Sequence, residues 1–190
     1  MKKFTLLSLL AILLFNCKQA EKEYTFEEKL QIDSIKTSIL KDAEKEAYKE
    51  KVSGWKYETS INKMTSTKDI FCSVQSNESL NLEAPYDGVN YGSLIVRKMN
   101  GEVDIIISIM KGQISGGYEN DFFKARFDDE KQITFSYLSP SDNSTESIFL
   151  ENKSKFLKKL RTSKKVLIQI PLYNNGNQIL EFNTDGLKFE

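Results

Sequence analysis

The chain has 190 residues, and its 27 basic and 27 acidic side chains leave a formal net charge of zero, so no global electrostatic pull toward nucleic acid follows. It contains no histidine, which excludes Ser-His-Asp and Cys-His catalysis and ordinary imidazole zinc sites. Carboxylate, lysine and tyrosine chemistry are the catalytic means left to it.

The chain opens with Lys2 and Lys3 followed by an almost wholly apolar run over residues 4–15. A bilayer-spanning helix needs about 20 such residues, so the run fits the shorter hydrophobic region of a signal peptide. It ends in Leu14-Phe15-Asn16-Cys17, where an ordinary secretory signal would carry a small-x-small cleavage site. This segment resembles the lipobox of lipoprotein signal peptidase, with Asn16 departing from the commoner Gly, Ala or Ser before the cysteine. The reading makes residues 1–16 a signal peptide and Cys17 the site of lipidation. Diacylglycerol on the thiol and a palmitate-like chain on the freed amine would anchor the protein stably, where one chain alone would not. Lys18 stands where an Asp would mark inner-membrane retention, and residues 18–23 hold no dense acidic cluster. The expected location is the cell outer membrane, facing the periplasm. Removing residues 1–16 leaves 25 basic against 27 acidic side chains.

With Cys17 committed to lipid, Cys72 has no disulfide partner in the mature chain. Its setting, Ile70-Phe71-Cys72-Ser73-Val74, predicts a buried thiol acting as a small hydrophobe.

Residues 17–25 form a lipidated tether. The next segment, 26–52, has no Gly or Pro and is dense in Lys and Glu. Thr25 and Glu28 have the spacing of a capping box. Apolar residues at Phe26, Leu30, Ile35, Ile39, Ala43 and Ala47 suggest an amphipathic helix spanning about 39 Å. It either packs its apolar stripe on the domain that follows or acts as a stalk or spacer, which could pair with another copy. Ser53-Gly54 ends it.

Beyond Gly54 short β-prone runs succeed one another. They cover 55–57, 69–74, 80–82, 93–99, 102–110, 122–127, 132–138, 147–150, 166–172 and 178–183. Asn100-Gly101 and Asn174-Asn175-Gly176 are hairpin signals. Pro85-Tyr86-Asp87-Gly88, the glycine-rich stretch 112–117 and Asp128-Asp129-Glu130-Lys131 read as loops or turns. Residues 153–163 carry Phe156, Leu157 and Leu160 on one side of a helix. Without βαβ alternation, residues 54–190 are predicted to be mainly β: an antiparallel β-sandwich or open barrel with one covering helix, preceded by a long N-terminal helix.

Three features invite functional readings. Tyr86, Tyr91 and Tyr118 fall in or beside loops, where tyrosine can anchor a ligand. Lys155, Lys158 and Lys159 share a side of the predicted helix, within a basic run from Lys153 to Lys165, and could meet anionic headgroups or an acidic partner. Aromatics that would stack bases are not interleaved with them. Asp128 and Asp129 would point to opposite sides if extended, so a turn fits them better than a metal or acid–base pair. No catalytic residue, metal site or cofactor is assigned.

From Trp55 to Leu187 the chain resembles a group of small exported bacterial proteins that includes type VI secretion-associated accessory proteins. The matching pieces are Trp55, Met64-Thr65, Pro85-Tyr86 with Gly88, Leu94-Ile95-Val96-Arg97, Gly112-Gln113, Arg126-Phe127-Asp128-Asp129, Phe156-Leu157-Lys158-Lys159-Leu160, Ile170-Pro171-Leu172-Tyr173, Glu181-Phe182-Asn183 and Gly186-Leu187. Members often carry cysteines around the Gly-Gln and Arg-Phe-Asp-Asp elements. Here Ser115, Gly116 and Gly117 stand in that neighbourhood, so a family disulfide is missing. The resemblance implies an envelope accessory or binding protein. Together these features predict a non-catalytic, membrane-attached lipoprotein whose β domain binds a protein or glycan. An immunity or inhibitor lipoprotein is the alternative, and a carboxylate-based hydrolase a more distant one.

Overall fold

The computed structural model describes residues 25–52, 54–116 and 121–189. The expected signal peptide and the expected lipidation site, Cys17, lie outside the described residues. The chain divides into two units between residues 42 and 43, and every strand belongs to the second.

Helix α1 (Phe26–Val52) begins on the expected capping box. The Thr25 N–H donates to Glu28 Oε2 at 2.8 Å, and the Glu28 N–H donates to Thr25 Oγ1 at 3.3 Å. Two donors that the first turn would leave orphaned are thereby satisfied. The expected single apolar stripe does not form. At about 100° per residue, the five-residue step from Leu30 to Ile35 turns the face by about 140°. Phe26 and Leu30 therefore lie on the side opposite Ile35 and Ile39.

The second unit is mainly β. Its strands are β1 (Lys56–Ile61), β2 (Lys68–Gln75), β3 (Gly92–Met99), β4 (Glu102–Ile109), β5 (Phe122–Phe127), β6 (Ile133–Leu138), β7 (Ser147–Leu150), β8 (Lys165–Leu172) and β9 (Gly176–Asn183). Helix α2 (Lys153–Leu160) separates β7 from β8. Every neighbouring pair is antiparallel, in the order β1-β2-β3-β4-β7-β6-β5-β8-β9. Strand β6 turns the corner of the sheet. Its first residues pair with β5, and Tyr137 and Leu138 pair with β7.

Alternation along the strands fills the interior. Leu94 and Val96, Ile105 and Ile107, Phe123 and Phe127, Ile168 and Ile170 all point inward and are almost wholly buried. The far ends of the sheet then approach each other. The Asn77 N–H donates to the Glu181 carbonyl at 2.7 Å, and Trp55 Nε1 donates to the Thr184 carbonyl at 3.2 Å. Tyr57 OH donates to the Gly186 carbonyl at 3.0 Å and accepts from the Lys188 N–H at 2.9 Å. Gly92 sits where a Cβ would lie 2.6 Å from Leu180 Cδ1, so a side chain at this seam between β3 and β9 would force the buried Leu180 to move. The sheet is thus curled on itself, with α2 covering one end as the sequence predicts.

In α2, Phe156, Leu157 and Leu160 are buried. The Phe156 ring meets those of Phe127 at 5.1 Å, Phe135 at 5.2 Å and Phe123 at 6.2 Å, all edge-on. The helix stops at Leu160, short of the predicted residue 163, because the Thr162 and Ser163 hydroxyls donate to the Lys159 carbonyl at the turn. Residues 80–82 are not a strand. Leu80 and Leu82 are buried, but Leu80 is held by its N–H on the Asn90 carbonyl within an irregular segment. Cys72 is fully buried, as its neighbours predict, and burial pushes its thiol pKa up.

Candidate functional site

The β3–β4 hairpin sets the site's geometry. Asn100 and Gly101 take φ of 50° and 86°, the positive values a two-residue type I′ turn requires. That turn places Met99 opposite Glu102 and, two steps further, Arg97 opposite Asp104. Both point to the outer face, because their neighbours Val96 and Ile105 point in.

Arg97 Nε donates to Asp104 Oδ2 at 3.1 Å, and Lys153 Nζ, from the start of α2, donates to Oδ1 at 3.0 Å. Burial by itself would raise the Asp104 pKa; hydrogen bonds and charge from Lys153 and Arg97 outweigh it, so the carboxyl titrates below the usual range. The Arg97 guanidinium also lies over the Phe149 ring, 5.3 Å from its centroid. Its Nη1 and Nη2 groups have no partner among the described residues.

These groups line an open cavity of about 550 Å³, with Leu138, Pro140 and Glu151 among its other walls. Arg97, Asp104 and Lys153 side chains are 28 %, 22 % and 39 % exposed, so the network borders solvent without dissolving in it. An arginine whose Nε is fixed still presents its terminal donors in a rigid fork. Beside an aromatic ring, that arrangement suits a ligand carrying an oxygen acceptor next to an apolar surface. A carboxylate held ionised between two cations is poorly placed to deliver a proton.

The residues singled out in the sequence fall elsewhere. Tyr86 is half-buried and packs against the core. Tyr91 is 2 % exposed, so it is an interior residue and presents no ring to a ligand. Its position between loop and β3 hides this, because the segment before β3 turns inward at Asn90 and Tyr91. Tyr118 and Cys17 lie outside the described residues. The lysines of α2 are divided in role. Lys155 lies over the Phe135 ring at 5.7 Å, and Lys159 lies over Phe127 at 5.8 Å while pairing with Glu130. Lys158 is exposed. Two of the three therefore cover core aromatics. Asp128 has φ of 45° and its Oδ1 accepts from the Lys164 and Lys165 N–H groups at 3.0 Å, the turn function predicted for it.

Arg97, Asp104 and Phe149 are not among the sequence candidates. The first two are within its reach: a two-residue Asn-Gly turn fixes the register, and counting outward from it brings Arg97 opposite Asp104. Lys153 and Phe149 join only through tertiary packing. Among the described residues, no group of three or more cysteine, aspartate or glutamate side chains gathers to hold a metal ion. No helix among them is long and apolar enough to cross a membrane.

No protein-family model matches the chain, and no curated protein matches it. The crystal structure of invasion associated protein B from Bartonella henselae is similar over 70 % of this chain and 85 % of that one, at 14 % identity and a TM-score of 0.41.

Proposed function

We propose that this chain is a lipid-anchored bacterial envelope protein whose non-catalytic β domain binds a protein or glycan partner through the Arg97 groove. Attachment rests on Lys2, Lys3, the apolar run 4–15 and Cys17. The membrane is the outer membrane and the domain faces the periplasm. The secretion-system accessory role implied by the resemblance belongs to the same proposal.

The observation that carries the binding reading is the pair of unpartnered Arg97 amino groups beside Phe149 in an open cavity of about 550 Å³. The Arg97 side chain is 28 % exposed, so these donors are open to a ligand arriving from solvent beside the Phe149 ring.

Two measurements test this. Cells fed a fatty-acid probe should label the wild-type protein, and Cys17→Ser should abolish both the label and membrane fractionation. In-cell crosslinking with the full chain should recover a discrete partner, or isolated wall glycan should sediment it, and Arg97→Ala should lose that retention about tenfold or more. Retention unchanged by Arg97→Ala refutes the groove. An unlabelled wild-type protein refutes the anchor.

A further inference from the structure

Strand β1 is an edge left open. It pairs with β2 over its whole length without a bulge, from Lys56 opposite Ser73 to Ile61 opposite Lys68. No strand pairs with its other side among the described residues. All six of its residues are exposed, and Tyr57 and Ile61 are 43 % and 71 % exposed despite their apolar bulk. It contains no proline. Natural edges are ordinarily blunted by proline, bulges, covering loops or very short strands. The opposite end of the sheet conforms to that practice, where Asn77 caps the outer edge of β9 at Glu181.

The direction of the unused groups follows from the ladder. The Asn62 N–H donates to the Thr67 carbonyl at 2.9 Å, so that pair is a hydrogen-bonded one. Antiparallel pairs alternate, so Ser60, Glu58 and Lys56 also direct their backbone groups to β2. The N–H and C=O groups of Tyr57, Thr59 and Ile61 consequently point away from the sheet. The side chains of these same three residues share one face, while Lys56, Glu58 and Ser60 share the other.

From this pattern we infer that β1 pairs with β1 of a second copy of this chain, antiparallel about a two-fold axis through Thr59. In that register Tyr57 lies opposite Ile61 of the second copy, twice, and Thr59 lies opposite Thr59. Aromatic with β-branched and Thr with Thr are favoured cross-strand pairs. On the other face Glu58 meets Ser60 and Lys56 meets Asn62, with no like charges directly opposed. The outward backbone groups of both strands are all used, giving about six new hydrogen bonds. A shift of the axis to Glu58 would set Glu58 against Glu58, which costs rather than gains. The strand is self-complementary in this register, and a closed isologous pair is what such a patch forms. The pairing joins two curled sheets edge to edge and sets Ile61 of the second copy beside Tyr57, whose hydroxyl stays on Gly186 and Lys188 of its own chain.

The test uses the full chain extracted from membranes in mild detergent. Light scattering should give the mass of a dimer. Thr59→Cys should crosslink to a dimer on a non-reducing gel, since residues opposed in a hydrogen-bonded pair have Cα atoms about 5.5 Å apart, within disulfide reach. Lys56→Cys should not crosslink. Thr59→Lys, which opposes two cations on the axis, should weaken the dimer about tenfold while the circular dichroism spectrum is unchanged. A monomeric wild type, a dimer indifferent to Thr59→Lys, crosslinking at Tyr57→Cys in place of Thr59→Cys, or an extended segment of another protein on β1 would each overturn the inference.

Discussion

At the scale of single residues, Asp104 shows how two neighbours decide the state of a third. Its folded pKa lies below its unfolded value. Its contribution to stability is therefore complete above about pH 4, the ordinary carboxylate value, and is lost as pH falls through the depressed folded one. Asp104→Asn should cost about 1 kcal/mol at pH 7, because Arg97 and Lys153 lose a shared acceptor at a partly solvated site. Urea unfolding at several pH values should show the gap between wild type and variant closing in acid. Gly92 makes a steric point of the same kind. The Cβ of Gly92→Ala would meet the buried Leu180 side chain at 2.6 Å, so this variant should lose about 1–3 kcal/mol. Combined with Leu180→Ala, it should cost less than the two changes summed, since the smaller partner removes the clash. A denaturation-based double-mutant cycle measures the difference.

Among the elements, α2 illustrates why a short helix can matter to a sheet. Alone, eight residues would not hold a helix. Its Phe156 instead enters a ring of Phe123, Phe127 and Phe135, and the basic residues near its end suit the negative pole of the helix dipole. Phe156→Ala should cost about 3–5 kcal/mol in equilibrium unfolding. Lys158→Ala, on the exposed side, should change stability by less than about 0.5 kcal/mol. The contrast separates the helix as a cover for the core from the helix as a basic surface. The β3–β4 hairpin has the same economy: one Asn-Gly turn sets eight residue pairs, and the outer charges of the candidate groove with them.

For the molecule as a whole, the fully buried Cys72 reports on the β domain's integrity. Its Sγ lies 3.9 Å from the Lys188 carbonyl, at the seam where the chain's last residues cover the inner face of β1 and β2. Burial raises its pKa, so the thiolate is scarce as well as shielded. A thiol reagent should leave Cys72 unmodified in the native protein and react only as the seam opens, at a rate that tracks urea or temperature. Rapid native labelling would mean that the residues after β9 detach readily. Cys72 is a free thiol, and no disulfide assists this domain among the described residues.

Local chemistry made much of this protein readable in one dimension. The capping box of Thr25 and Glu28, the Asn100-Gly101 turn, the alternation of the strands and the burial of Cys72 all depend on near neighbours, whose geometry is fixed by a few bonds. The lipidation proposed at Cys17 is likewise argued from a linear segment, outside the described residues. What needed the third dimension were matters of long-range closure. Tyr91 reads as a loop residue because nothing local reveals that its segment turns into the core. Leu80 and Leu82 read as strand because two buried leucines spaced by one look alike in strand and in packed loop. Lys155 and Lys159 read as a free basic face because the aromatic rings beneath them come from β5 and β6. The groove required α2 to bring Lys153 to Asp104, a union of residues 49 positions apart that no pattern along the chain encodes. Such unions depend on how the sheet curls, and that is decided by the packing of all its inward side chains together.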